Sequence, residues 1–172
     1  MSLVATRLAA IKPSPTLAVS AKPAQLKSEG KDIIGLGAGE PDFDTPQFIK
    51  DAAVEAMKKG LTKYTPAGGT VSLKKAIIAK FKRDNGLDYT PKQILVSCGG
   101  KHTSFNLCLA LLNPGDEVII PAPYWVSYPD MAVVAEAKPV FITAGIEQGF
   151  KITAAQLEAA ITPKSRLIFI NS

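Results

Sequence analysis

Leu95-Val96-Ser97-Cys98-Gly99-Gly100-Lys101-His102-Thr103 decides the architecture. Ile94-Leu95-Val96 reads as a buried strand, the glycine pair as a tight turn, and Thr103 to Leu112 as a helix closed by Asn113-Pro114-Gly115. A strand that runs through glycines into a helix is one unit of an α/β sheet, and the alternation continues on both sides. Downstream, strands are expected at Val118–Ile120, Val140–Ile142 and Leu167–Ile170. Between them lie helices near Asp130 to Ala135 and from Ala154 to Ile161, the latter stopped by Pro163. Upstream, a helix from about Pro46 to Lys59 carries an apolar stripe of Phe48, Ile49, Ala52, Ala53, Ala56 and Met57. Thr45 is its expected cap, Pro46 its first helical residue and Gly60 its end. A further helix, Val71 to Arg83, aligns Leu73, Ile77 and Phe81 and stops at Asn85-Gly86. Short apolar strands alternating with helices imply a mostly parallel sheet flanked by helices.

The chain has 172 residues, 47% of them apolar, enough for one ordinary domain with a sizeable core. Pro13, Pro15 and Pro23 make the first stretch irregular, with a helix expected from about Thr16 and disturbed at Pro23. No apolar run approaches the ~20 residues of a membrane span, and the start lacks a secretory pattern. A cytoplasmic protein without a membrane partner is expected. The net charge of +5 is scattered over Lys58-Lys59, Lys74-Lys75 and Lys80 to Arg83. Without interleaved aromatics on one surface, that pattern suggests solvated helix faces and no nucleic-acid partner. Cys98 and Cys108 are expected in one helix, about three turns apart, too far to bridge. With His102 the only histidine, no metal site forms; His102 reads as a solvated or capping side chain.

Four segments carry candidate chemistry. The Gly99-Gly100-Lys101 turn offers backbone N–H groups at a helix start, a setting for phosphate. A nucleotide P-loop fails there, because Leu95 stands where its first glycine belongs and His102 where its Ser or Thr belongs. A turn with no ligand fits this segment equally well. In Pro123-Tyr124-Trp125-Val126-Ser127-Tyr128-Pro129, a planar ring can stack on Trp125, or the indole can simply fill the core. In Gly35-Leu36-Gly37-Ala38-Gly39-Glu40-Pro41-Asp42, an open backbone can meet a carboxylate or merely turn; it does not have dinucleotide-fingerprint spacing. Tyr64, in the loop Lys63 to Thr70, can donate to a phosphate or cover surface.

Taken in order, Gly37–Phe43, Lys63–Pro66, Gly99–Lys101, Asn113–Val118 and Pro123–Pro129 resemble class I aminotransferases. The nearest resemblance is to the bacterial aspartate aminotransferase subgroup that includes members also acting on prephenate, and it runs the length of the chain. It implies a pyridoxal-phosphate-dependent transferase of fold type I. Residues 1–45 would form an N-terminal arm and small-domain segment, and residues 46–172 the first part of the cofactor-binding large domain. By this resemblance Gly39 meets the substrate carboxylate, Gly99, Gly100 and Lys101 hold the pyridoxal 5'-phosphate phosphate group through backbone groups, and Trp125 stacks on the ring and touches substrate. Tyr64 reaches the phosphate of the neighbouring subunit in a homodimer, and Lys12 meets the extra carboxylate of prephenate.

The implied reaction is L-aspartate plus 2-oxoglutarate to oxaloacetate plus L-glutamate, with prephenate as another acceptor. An aromatic or neutral amino-acid aminotransferase of the same fold, or a phosphate-binding module without catalysis, are the alternatives. The family's Schiff-base lysine, its pyridine Asp, its ring-hydroxyl Tyr, its Asn-Pro turn and its late Arg are expected after Ser172, and Asn171 is not that Asn. The chain is therefore expected to be truncated and inactive alone. The resemblance also implies that a later strand separates the Leu167 strand from the Val118 strand, so that residues 1–172 alone would leave gaps in the sheet and be unstable.

Overall fold

In the computed structural model, residues 3–11, 15–34, 39 and 41–171 are described. Helices α1 (Pro15–Ser28), α2 (Gln47–Lys58), α3 (Val71–Asn85) and α4 (Gly100–Leu111) precede strand β1 (Glu117–Ala122). Then come α5 (Ser127–Val134), β2 (Lys138–Thr143), α6 (Ala154–Ala160) and β3 (Ser165–Ile168). Two compact units result. One joins Met1–Ala38 to Lys101–Ser172, and the other is Gly39–Gly100.

The first unit is built on β1. The sheet is three-stranded in the order β2-β1-β3, and both pairings are parallel. Strand periodicity sends Val118 and Ile120 to one face, where both are fully buried with Cys108, Met131 and Ala132 from α4 and α5. Burying a side chain of that size contributes about 1.5–3 kcal/mol. Ile119 points the other way and shares a cavity with Leu157 and Ile161, so helices cover both faces. Burial pushes the Cys108 thiol up from its ordinary pKa.

The amino ends of the strands are tied by charge. The Thr162 hydroxyl donates to Glu117 Oε2 at 2.7 Å and holds that carboxyl below its ordinary pKa, with the Lys138 ammonium 3.6 Å away adding to the effect. Beside it, Asp116 accepts the Asn113 backbone N–H at 2.7 Å, which lowers its pKa, and it pairs with Arg166 of β3 at 3.6 Å.

The second unit is thin. In α2 the expected stripe exists but is bare: Phe48 is 73% exposed and Met57 60%. Thr70 caps α3 by accepting the Leu73 N–H, and Gly86, at φ 68°, ends it. Phe81 of α3 packs on Tyr89 at 5.4 Å, and Ile94 is the one residue of this unit that is buried among those described.

Several expectations need correction. β3 lies directly against β1, with Val118 opposite Leu167, so no later strand separates them and this part of the sheet has no gap. The Ile94–Val96 segment is not a strand. Its backbone is extended, but among the described residues it joins no ladder, and Leu95 is 71% exposed. An extended segment becomes a strand only when a neighbour takes up its N–H and C=O groups. Pro46, not Thr45, occupies the cap position of α2. Because α4 starts at Gly100, Cys98 lies in the turn before it and not in the helix with Cys108. α1 runs on through Pro23 to Ser28. Lys12, residues 35–38 and Glu40 lie outside the described residues. Among the described residues, no helix is long and apolar enough to cross a membrane.

Candidate functional site

From β1 the chain goes through α5 to β2 on one side, then through α6 to β3 on the other. In open α/β sheets, ligands bind outside the carboxyl ends of strands where the order reverses in this way. Here those ends are followed by Pro123-Tyr124-Trp125 after β1 and Phe169-Ile170-Asn171 after β3. A cavity of about 310 Å³ opens there, lined by Pro121, Pro123, Lys151, Thr153 and Asn171 among others.

The aromatic run divides its work. Tyr124 stacks on Phe141 of β2 at 5.1 Å. Trp125 is half-buried against the core cluster and meets Tyr128 edge-on at 5.4 Å. Tyr128 in turn stacks on Phe169 at 4.4 Å and donates its hydroxyl to Asn171 Oδ1 at 3.3 Å. Lys101 Nζ lies 4.8 Å from the Trp125 ring centroid. An ammonium over an indole face is attracted by the ring quadrupole. The site therefore has an aromatic plane with a fixed edge and a cation above it.

Just before Lys101, the turn has the predicted shape. Gly99 has φ +101°, which only glycine adopts easily, and Gly100 is the first residue of α4. A Cβ on either would meet nothing within 4 Å, so there is room in front of the helix start. The positive end of the helix dipole favours an anion in that room. His102 is held along its own helix, its Nε2 2.9 Å from Asn106 Nδ2.

Thus the structure brings Lys101 and Trp125 together, and Gly99 and Gly100 precede Lys101 in the chain. Gly39 and Tyr64 belong to the second unit; both are exposed, Tyr64 fully. Lys12 lies outside the described residues. Sequence reasoning did not single out Tyr128, Phe169 and Asn171 as a group. Tyr128 and Asn171 are 43 residues apart in the chain, and only the β1–β3 pairing makes them neighbours.

The pattern of the aminotransferase class I and II family matches residues 31–172. The chain is 68% identical over 166 residues to the aspartate/prephenate aminotransferase of Nitrosomonas europaea, a match covering 96% of this chain and 42% of that protein. It is 56% identical to the aspartate aminotransferase of Bacillus sp. strain YM-2, over 99% of this chain and 43% of that one. Among solved structures, the Thermus thermophilus aspartate aminotransferase with maleate superposes on all of this chain and 45% of its own with a TM-score of 0.96 at 45% identity. The Rhizobium meliloti aspartate aminotransferase gives 0.92 at 50% identity, over 98% of this chain and 42% of its own. The chain thus spans less than half the length of the relatives it matches. By this match, and by a fold that superposes on theirs over nearly all of its length, the chain belongs to the aminotransferase class I and II family.

Proposed function

We propose that the full-length protein containing this chain is a pyridoxal-phosphate-dependent aspartate aminotransferase, moving the amino group of L-aspartate to 2-oxoglutarate to give oxaloacetate and L-glutamate. Prephenate is a second acceptor, giving arogenate. The observation that carries this reading is the Lys101 ammonium over the Trp125 indole at the carboxyl end of β1. Two relatives bear names that fit it, aspartate/prephenate and aspartate aminotransferase. A third is a structure with maleate, a four-carbon dicarboxylate.

The residues fit a phosphorylated planar cofactor. Gly99 and Gly100 leave space at the start of α4, where backbone N–H groups and the dipole suit a phosphate. Trp125 offers its ring for stacking, steadied at the edge by Tyr128. When bound, pyridoxal 5'-phosphate supplies an electron sink for the substrate's α-carbon. Lys101 is assigned with Gly99 and Gly100 to the phosphate through its backbone group, and its ammonium lies beside the indole. Gly39 is assigned to the substrate's α-carboxylate through its N–H, and Lys12 to the extra carboxylate of prephenate. Tyr64 is assigned to the phosphate in the other subunit of a homodimer. The anchoring lysine is assigned to sequence beyond Ser172. Residues 1–45 are assigned to the arm and small domain, residues 46–172 to the large domain, and the protein to the cytoplasm.

The test is made on the full-length protein. Borohydride should fix the cofactor to a single lysine, seen as one adduct by mass spectrometry. A protein with no lysine adduct ends this reading. In the same protein, Trp125→Ala should cut turnover and Trp125→Phe restore part of it, whereas Lys12→Ala should lower prephenate turnover more than aspartate turnover. Unchanged kinetics in Trp125→Ala would leave the indole a packing group only.

A further inference from the structure

We propose that Gly69 is a positioning residue for phosphate recognition: it locks the loop carrying Tyr64 to the extended segment that leads into the Gly99–Gly100 turn. The inference rests on the cofactor reading above.

Four observations within the Gly39–Gly100 unit carry it. Gly69 has φ +99°, and a Cβ there would lie 2.6 Å from Val96 Cγ2 and 2.8 Å from Val96 Cβ, closer than real atoms approach. The loop backbone therefore sits directly against Val96, and only glycine permits it. The Val96 N–H donates to the Gly68 carbonyl at 3.1 Å. The loop is itself fixed at this point, because the Gly69 N–H closes a turn on the Pro66 carbonyl at 2.9 Å and Thr70 caps α3. Finally, the segment around Val96 joins no ladder among the described residues, and its Val96 N–H is taken up by the loop.

Three residues beyond Val96 stands Gly99, and five before Gly69 stands Tyr64. A methyl group at Gly69 cannot be accommodated by a side-chain rotation, because one of the atoms it meets is the Val96 Cβ, which moves only with its backbone. Either the Tyr64 loop or the segment feeding the phosphate turn must shift. The neighbouring glycine is a matched control. A Cβ on Gly68 would meet Lys74 Nζ at 3.1 Å and Leu95 Cδ1 at 3.4 Å, both ends of flexible side chains that can yield.

The experiment measures dissociation constants of pyridoxal 5'-phosphate and of pyridoxal for the full-length apoprotein by equilibrium dialysis. The ratio of the two reports phosphate recognition alone. Gly69→Ala should reduce the preference for the phosphorylated form by about tenfold or more, a change of one decade in relative affinity, while Gly68→Ala keeps it within about twofold. Val96→Ala, which removes the methyls beside Gly69 without straining φ, should shift the ratio in the same direction by less. It decides the matter if Gly69→Ala does not fold, and an unchanged ratio in Val96→Ala would then overturn the proposal. Equal losses for both ligands in Gly69→Ala would make the glycine a structural residue only. A parent protein that binds neither ligand overturns the functional reading, and this inference with it.

Discussion

β1 and α2 are both apolar elements, one a continuous run and the other a helical stripe, yet their fates differ. On β1, Val118 and Ile120 are 0% exposed between a helix pair and the neighbouring strands, whereas Phe48 on α2 is 73% exposed. Apolar pattern marks the face that gains from cover. Stabilisation appears only where another element removes that face from water. Among the described residues, β1 has its partners, whereas Phe48 and Met57 of α2 stay exposed. The first unit therefore carries its own core, and the second presents apolar surface.

The largest test of this contrast is a pair of truncations in the 172-residue chain. Ile120→Ala should destabilise by about 2–5 kcal/mol through lost contacts and a cavity. Phe48→Ala should stay within about 0.5 kcal/mol, as for an exposed position. Equal losses in urea denaturation would break the comparison.

A second test uses pH. The Thr162 hydroxyl lowers the Glu117 pKa in the first unit, and the Arg83 side chain lowers that of Asp84 in the second. A carboxyl depressed in the folded state contributes stability that is present above its ordinary pKa of about 4. That stability is lost as pH falls through the folded value. Glu117 has a side chain only 10% exposed and bridges separate elements, whereas Asp84 pairs with Arg83 and Lys80 of its own helix on an exposed face. Glu117→Gln should flatten the acid limb of a stability-versus-pH curve, and Asp84→Asn should leave it nearly unchanged, because exposed pairs are screened. A flattened limb in Asp84→Asn alone would reverse the assignment.

The smallest effect sharpens the site. Trp125 is the single tryptophan, so its fluorescence reports its surroundings. Lys101→Met should change that emission and cost about 0.5–1 kcal/mol. Lys80→Met, which removes an ammonium 5.5 Å from the Phe81 ring on the next residue of α3, should cost less than Lys101→Met. An emission spectrum unaltered by Lys101→Met would mean that the ammonium does not sit over the indole in solution.

How far the sequence could be read follows from these cases. The helices and the three paired strands are legible because hydrophobic period and glycine stops act within a few residues; α3, stopped at Gly86, is the plainest example. Ile94–Val96 reads as a strand but joins no ladder among the described residues, because an apolar run says nothing about who accepts its hydrogen bonds. At the site, the glycine turn, Lys101 and Trp125 were each visible as residue types with a use. Their grouping came only from the family resemblance, since Lys101 lies in the first turn of one helix and Trp125 precedes another.

By itself, the sequence determined the local conformations, the alternation that makes an α/β sheet, and the motifs by which the family is recognised. Tertiary structure alone decided that β3 lies against β1, that Tyr128 joins Trp125 to Phe169 and Asn171, and that Gly69 must touch Val96. The physical reason is range. Propensity, capping and turn geometry depend on neighbours along the chain, whereas strand order and side-chain convergence depend on which distant surfaces exclude water together, and no short window of residues contains that information.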